Sequence, residues 1–148
     1  MGSDDGFEFF GGSVNVKYMV ATNCSDDSFD WTEGWNGKAQ FLVAYQANAE
    51  ELGYDCDCLM ECDNNGNNFA ATPVSAPVLS NLTLIGNGGS KQGVRLRAGT
   101  QVKMYNALIT GKGKCLTTET AETENALVNG TSVLKYVTLG SDIECKGA

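Results

Sequence analysis

The chain of 148 residues contains no histidine. Without an imidazole, the Ser-His-Asp triad and the Cys-His pair of nucleophilic enzymes are excluded in their usual forms. A zinc site is disfavoured too, because Cys56, Cys58 and Cys62 lack the Cys-x-x-Cys spacing and no histidine can complete the ligand set. The missing histidine therefore removes the commonest hydrolytic and metal-thiolate centres from consideration.

Positive charge is scarce, and long apolar runs are missing. The 10 Lys and Arg residues are outnumbered by 18 Asp and Glu residues, which leaves a net charge of −8. No basic stripe is visible in the sequence, so neither a nucleic acid nor an anionic membrane surface is the expected partner. No apolar run is long enough to span a bilayer, so we predict no membrane span.

A secretory signal is also missing from the start of the sequence. Residues 1–4 have neither a basic start nor an apolar stretch, and we expect an expression start or a flexible end there. We therefore expect a native precursor with an export signal, and a secreted or cell-surface protein. The length suits one domain, which we predict over residues 1–148.

Proline is rare and glycine is abundant. The sequence has 2 prolines and 18 glycines, a composition that favours tight turns between short strands over a disordered linker. No window shows a sustained helical period, and only residues 47–54 suggest a helical turn, with a surface loop as the alternative. The polar, threonine-rich residues 112–124 are predicted to form an exposed loop excursion.

A repeated block organises the rest of the chain. Asp4-Asp5-Gly6-Phe7-Glu8-Phe9 returns as Asp26-Asp27-Ser28-Phe29-Asp30-Trp31, and Met60-Glu61-Cys62 and Val94-Arg95-Leu96 share its apolar-charged-apolar core. Further predicted strands cover residues 14–22, 38–46, 79–87, 102–111 and 132–140. Repeats of this length indicate stacked units. The sequence therefore predicts an all-β, right-handed parallel β-helix of about five short coils.

The stacking has an electrostatic consequence. Phe7, Phe29, Met60 and Val94 should share one interior column, because alternate side chains of a strand lie on one face. The residues that follow them should then point outward, one per coil: Glu8, Asp30, Glu61 and Arg95. Carboxylates one coil apart need a raised pKa, a bound cation or a positive neighbour, unless the ladder is simply solvated.

The six cysteines favour disulfide bonds and an oxidising compartment. Cys24 and Cys56 occupy similar places in adjacent coils, so they are a plausible pair, with Cys24 to Cys58 one register away. Cys115 and Cys145 both lie near the C-terminus and are candidates for a second bond. Cys62 should point inward, either as a buried thiol or bonded to Cys58.

The motifs Gly11-Gly12-Ser13-Val14, Asp26-Asp27-Ser28-Phe29-Asp30-Trp31 and Glu61-Cys62-Asp63-Asn64-Asn65 carry a family resemblance. Over most of its length the chain resembles bacterial surface and lipoprotein-like β-helix proteins of unknown function. The resemblance implies a β-helix and an exported location. It implies no established reaction, and the cysteine cluster at residues 56–62 departs from the usual pattern.

A calcium site is the first functional candidate. Asp26, Asp27, Asp30 and Asp63 provide carboxylate oxygens, the ligands that Ca²⁺ prefers. The alternative is that Asp and Asn occupy these positions because they suit turns.

Carbohydrate chemistry is the second candidate, because parallel β-helices often bind or cleave acidic polysaccharides along a strand face. For glycan binding we predict Glu8, Asp30, Glu61 and the ring of Trp35. For an enzyme we predict Asp30, Glu61 and Arg95, with the carboxylates holding a cation and Arg95 or Arg97 acting as base. A hydrolase would instead need two carboxyl groups.

The sequence thus favours an exported cell-surface β-helix with a binding or structural role. A glycan or another surface molecule is the expected partner, Ca²⁺ is a candidate ligand, and no cofactor is required. End-to-end stacking of coils into an oligomer or filament is a further candidate role. The alternative is a polysaccharide-active enzyme, either a calcium-dependent lyase or a glycoside hydrolase, that uses the acidic ladder.

Overall fold

The computed structural model describes residues 4–147, so most of the expected start segment, residues 1–3, lies outside the described residues. Within that range the chain forms eleven strands and two short helices. The strands are β1 Phe7–Phe10, β2 Val16–Thr22, β3 Phe29–Thr32, β4 Lys38–Tyr45, β5 Met60–Cys62, β6 Val78–Ile85, β7 Gln92–Leu96, β8 Lys103–Thr110, β9 Lys114–Thr118, β10 Val133–Leu139 and β11 Asp142–Cys145. The helices are α1 Ala49–Leu52 and α2 Ala121–Val128.

The strands form two parallel sheets. The odd-numbered strands make the first sheet, in the order β1-β3-β5-β7-β9-β11, and the even-numbered strands make the second, in the order β10-β8-β6-β4-β2. Each coil therefore contributes one strand to each sheet before the chain moves up one level. The described residues form five complete coils and the first strand of a sixth, which confirms the predicted parallel β-helix.

The predicted interior column is confirmed. Phe7 pairs with Phe29, Phe29 with Met60, and Met60 with Val94. The last three side chains are at most 1% exposed, whereas Phe7, on the edge strand, is 37% exposed. The outward ladder runs in the same register through Glu8, Asp30, Glu61 and Arg95.

The second sheet bends around the core at one repeated position. The residue at that position adopts a left-handed backbone, with φ between 53° and 61°, in all five strands. We call these residues the bend column: Tyr18, Phe41, Asn81, Asn106 and Tyr136. In β4, for example, Gln40 and Phe41 are both partly exposed between buried Ala39 and Leu42, so the strand turns there and wraps the core.

Residues 112–124 do not form the predicted exposed excursion. Lys114–Thr118 is strand β9 of the first sheet, and Ala121–Val128 is helix α2. Leu116 pairs with Val94 and is 4% exposed, so this segment continues the interior column. Threonine suits a strand because it is β-branched, so polarity alone was a poor guide to exposure here. The helical turn expected at residues 47–54 is confirmed as α1.

The predicted disulfide bonds are not present, because all six cysteines are free thiols. Cys145 pairs with Thr118, three residues beyond Cys115, which places the two cysteines roughly 10 Å apart, too far for a bond. Cys62 points into the core, where its register neighbours are Trp31 and Leu96. Coil-to-coil register, rather than nearness in sequence, decides which cysteines meet.

The exposure of the thiols predicts their reactivity. Cys145 is exposed, Cys24 is partly buried and the other four are buried. In the folded protein, purified without reductant, a thiol reagent should modify Cys145 rapidly and Cys24 slowly, and leave the remaining four protected. In denaturant all six should react. If fewer than six thiols react in denaturant, and the intact mass of the protein is lower by the hydrogens of the missing thiols, then disulfides form.

Candidate functional site

The outer face of the first sheet gathers most of the ionisable side chains that the sequence singled out. They fall into two groups. The carboxylate triad consists of Asp5, Asp27 and Asp30. The ion-pair network consists of Glu61, Asp63, Arg95, Arg97, Glu119 and Lys146. Because the ladder joins Asp30 directly to Glu61, the two groups adjoin each other along the stack.

The triad is built by the repeated block. Asp5 and Asp27 each stand two residues before the phenylalanine that begins β1 or β3, and Asp30 lies within β3. A ligand oxygen from each of the three carboxylates lies within 4.8 Å of the others. The amide of Asp27 donates to Asp5 Oδ1 at 3.0 Å, and the amide of Cys58 donates to Asp27 Oδ1 at 2.7 Å. Each coil thus positions the carboxylate of the coil before it.

The triad is strongly perturbed electrostatically. Burial, followed by the nearby carboxylates of Glu61, Asp57 and Asp5, raises the pKa of Asp27 from 3.8 to about 8. Burial also raises the pKa of Asp30 to about 8, with Asp5 and Asp27 the next largest causes. Asp5 is less affected, and burial raises its pKa to about 6.

One oxygen of the triad is left without a partner. Asp30 Oδ1 is shielded from solvent and accepts no hydrogen bond from the described residues. No ion pair within residues 4–147 reaches Asp5, Asp27 or Asp30. At neutral pH the triad must therefore keep protons or receive a cation from outside the protein.

In the ion-pair network, by contrast, arginine side chains neutralise the carboxylates. Arg95 bonds Glu61 at 2.8 Å and Glu119 at 3.1 Å, while Arg97 bonds Glu61 and Asp63, each at 2.6 Å. Burial alone would lower the pKa of Arg95, but its hydrogen bond to Glu119 and the charge of Glu61 raise it. A guanidinium held in this way keeps its proton, so the arrangement disfavours Arg95 as a catalytic base.

A family model described as a pectate-lyase like beta helix domain matches residues 1–147. The chain belongs to this family. Neither a curated protein nor a solved structure matches the chain. Membership agrees with the β-helix part of the resemblance read from the sequence, whereas its bacterial surface origin stays a prediction.

The predicted metal ligands of this pectate-lyase-like domain separate into different groups. Asp27 and Asp30 come together as predicted, but Asp26 groups with Asp4 and Asp5 at the edge of the face. Asp63 does not join them, because Arg97 holds it. The sequence did not single out Asp5 as a candidate ligand, although Asp5 and Asp27 occupy equivalent places in the repeated block.

Two predicted glycan contacts differ in their surroundings. Trp35 cannot stack on a sugar, because it is 1% exposed, packs on Phe9 at 4.2 Å and donates its indole N–H to the carbonyl of Val14. Its position in a turn suggested an exposed ring, but the turn folds over the core. Glu8 is exposed at the end of the ladder, where burial and the charges of Asp4 and Asp26 raise its pKa.

The domain's triad supports two kinds of chemistry. When deprotonated, three carboxylates offer up to six hard oxygen atoms, which suits Ca²⁺, an ion that takes six to eight oxygen ligands. When protonated, Asp27 and Asp30 are carboxylic acids near neutral pH and can donate protons.

Among residues 4–147 no helix is both long enough and apolar enough to cross a membrane.

Proposed function

We propose that this pectate-lyase-like domain binds a polysaccharide on the outer face of its first sheet, and that the carboxylate triad holds a calcium ion that takes part in the binding. The observation that carries the proposal is the triad itself. Three carboxylates lie within 4.8 Å of one another without a cationic partner, and one buried oxygen of Asp30 is unpaired. The family supports a polysaccharide-related role.

A bound cation is energetically favourable because it removes the repulsion between the carboxylates of the triad. Two carboxylates at this separation repel by about 3–4 kcal/mol at the intermediate dielectric of a protein surface. A divalent ion removes that repulsion and uses oxygen ligands only, as Ca²⁺ requires. The coordination positions that the three side chains leave free are then open to water and to sugar oxygens. Glu61 and Arg95 continue the polar face along the direction in which a chain would lie.

Calcium binding should be coupled to proton release. At about pH 7 the ion must displace the protons held by Asp27 and Asp30, so calorimetry in buffers of different ionisation heat should detect about one to two protons released per ion. Calcium should also raise the melting temperature. Asp30→Asn should abolish both effects, whereas the matched charge removal Glu51→Gln, at an exposed site, should preserve them. Equal binding by Asp30→Asn would refute the assigned site.

Glycan binding is tested in the same preparation. Electrophoresis through gels that contain neutral glycans, which the second sheet has no charge to attract, should show retardation with calcium and none with a chelator. Asp30→Asn should migrate freely under both conditions. If the chelator left the retardation unchanged, glycan binding would not depend on calcium, and the proposal that the ion takes part in it would be contradicted.

Glycoside hydrolysis is the second candidate, and a specific observation favours it. Asp27 and Asp30 have pKa values of about 8, so they are protonated at neutral pH, as a general acid must be. A lyase is less well supported, because Arg95 and Arg97 are both engaged by carboxylates. Release of reducing ends without calcium, lost in Asp30→Asn, would replace the binding proposal with hydrolysis.

We also propose that the coils wind to the right and that the protein is exported. Crossover connections between parallel strands are right-handed in nearly all known cases. End-to-end assembly is a related proposal, supported by the unpaired strand edges of β1 and β2 at one end of the described stack and of β10 and β11 at the other. Light scattering tests it, and a strict monomer at high concentration would refute it.

A further inference from the structure

The second sheet carries a charge pattern opposite to that of the whole chain. Its five strands contain four lysines and no aspartate or glutamate. These lysines are exposed, and within residues 4–147 none of them forms an ion pair: Lys17, Lys38, Lys103 and Lys135. Stacking therefore gathers on one sheet four lysines that lie far apart in the sequence.

The remaining basic residues are already engaged. Five of them form ion pairs with carboxylates: Lys91, Arg95, Arg97, Lys114 and Lys146. The sixth, Lys112, is buried and donates to the carbonyl of Cys56 and to Asn87 Oδ1. Within residues 4–147 the exposed positive charges without an ion-pair partner thus lie on the second sheet alone.

The four lysines follow the axis of the stack. Lys38 and Lys103 flank Val78 in one column, two coils apart, a separation of roughly 10 Å. Lys17 and Lys135 stand at the two ends of the neighbouring column, four coils or roughly 19 Å apart. The residues between them in that column are neutral and polar: Gln40, Ser80 and Tyr105. We call the outward residues of these two columns the lysine face.

The lysine face contains a groove. A cavity of about 600 Å³ lies between Lys17 and Lys38 and is lined further by Asn15, Gln40 and Ser80. The bend column borders the face with aromatic rings. Tyr18 is 75% exposed and stacks on Phe41 with ring centroids 5.0 Å apart, so flat apolar surfaces stand beside the cations.

We propose that the lysine face binds a linear polysaccharide that carries carboxylate or sulfate groups. The lysines supply point charges for widely spaced anions, and the neutral side chains between them can exchange hydrogen bonds with hydroxyl groups. The exposed rings offer stacking surfaces for sugar rings. Duplex DNA presents one phosphate per roughly 1.7 Å, far denser than four lysines spread over roughly 19 Å can neutralise.

This site is separate from the carboxylate triad and does not rest on the function proposed for the first sheet. The triad lies at β1 and β3, whereas the lysine face lies on β2, β4, β6, β8 and β10. Binding to the lysine face requires no divalent ion, so it is measured in the presence of a chelator. The failure of one site then leaves the other intact.

Dextran sulfate and unmodified dextran provide a matched pair of probes, since their backbones are the same and only one carries charge. Biolayer interferometry with a chelator should show salt-sensitive binding of dextran sulfate and no binding of dextran. The double variants Lys17→Gln/Lys38→Gln and Lys103→Gln/Lys135→Gln should each weaken binding about tenfold or more, and the fourfold variant should abolish it.

A control variant changes the net charge equally at other exposed positions. Lys91→Gln/Lys114→Gln removes two lysines outside the second sheet, with side chains 48% and 41% exposed, and should bind within about twofold of the unmodified protein. Equal losses in the control and the lysine-face variants would overturn the site in favour of long-range charge. No binding of dextran sulfate, or tighter binding of duplex DNA or of vesicles of phosphatidylcholine and phosphatidylglycerol, would overturn the glycan assignment.

Discussion

Raising the pH from about 5 to about 9 without divalent ions should destabilise the folded protein by about 3–5 kcal/mol. Asp27 and Asp30 have folded pKa values of about 8, above their usual 3.8, so protonation favours the folded state. Their contribution is complete below about pH 4 and is lost as the pH rises through about 8. This free-energy change is smaller than the two full pKa shifts would give, because the titrations of Asp27 and Asp30 are coupled and both groups are partly solvated.

Other perturbed carboxylates do not obscure this window. Burial alone would raise the pKa of Asp57 and of Glu119, but Lys91 and Arg95 respectively lower it below the usual value. The stability that these two groups contribute is lost only as the pH falls through their lowered pKa, which lies below the range tested. Asp5, with a pKa of about 6, and Glu8 and Glu61, whose pKa values are raised by burial, act in the same direction as Asp27 and Asp30.

Urea unfolding followed by tryptophan fluorescence across this pH range measures the effect. Asp30→Asn should flatten the profile and make the protein more stable than the unmodified chain at about pH 8.5, because one buried charge is removed. Glu51→Gln, at an exposed position, should leave the profile unchanged. Saturating calcium should restore stability at high pH in the unmodified protein and in Glu51→Gln, but not in Asp30→Asn. A flat profile in the unmodified protein would contradict the perturbed triad.

Replacement of Trp31 by alanine should cost about 3–5 kcal/mol, a large part of the stability of a domain this size. Trp31 is 1% exposed, lies against Trp35 and donates its indole N–H to Thr100 Oγ1 at 2.9 Å. Trp31→Ala leaves a cavity inside the stack and removes the donor that Thr100 accepts from. Thermal and urea unfolding should both report the loss.

Two further variants show which property of Trp31 accounts for the stability lost in Trp31→Ala. Trp31→Phe keeps an aromatic ring but loses the hydrogen bond, and should cost about 1–2 kcal/mol. Phe10→Ala removes an aromatic ring that is 69% exposed and should change stability by no more than about 0.5 kcal/mol. If Trp31→Ala cost no more than Phe10→Ala, packing inside the stack would not be the source of stability.

The repeated block allowed the stacking to be predicted residue by residue. Phe29 over Met60 and Asp30 over Glu61 follow from one alternation rule applied to short apolar-charged-apolar segments. The five longer strands were also placed correctly, with ends that differ by one or two residues. Strand β9, residues 114–118, was not predicted because its threonines suggested an exposed loop. In its coil β9 takes the same position that the other odd-numbered strands take in theirs.

The candidate site was predictable only where a partner lay within the same repeat. Asp27 and Asp30 are three residues apart and their carboxylates lie close together, but Asp5 joins them from the preceding coil. Asp63 looked like a metal ligand until Arg97, on the next coil, was found to hold it. These contacts depend on how many residues each coil contains, and the loops between strands vary in length.

The sequence by itself determined that this chain stacks into a parallel β-helix, because alternation and turn residues act locally and repeat along the chain. Only the tertiary structure decided which charges became neighbours. It grouped three carboxylates without a counterion, kept the six cysteines as thiols and lined up four lysines on one sheet. The reason is that side chains meet across coils at distances set by register, which no short stretch of sequence contains.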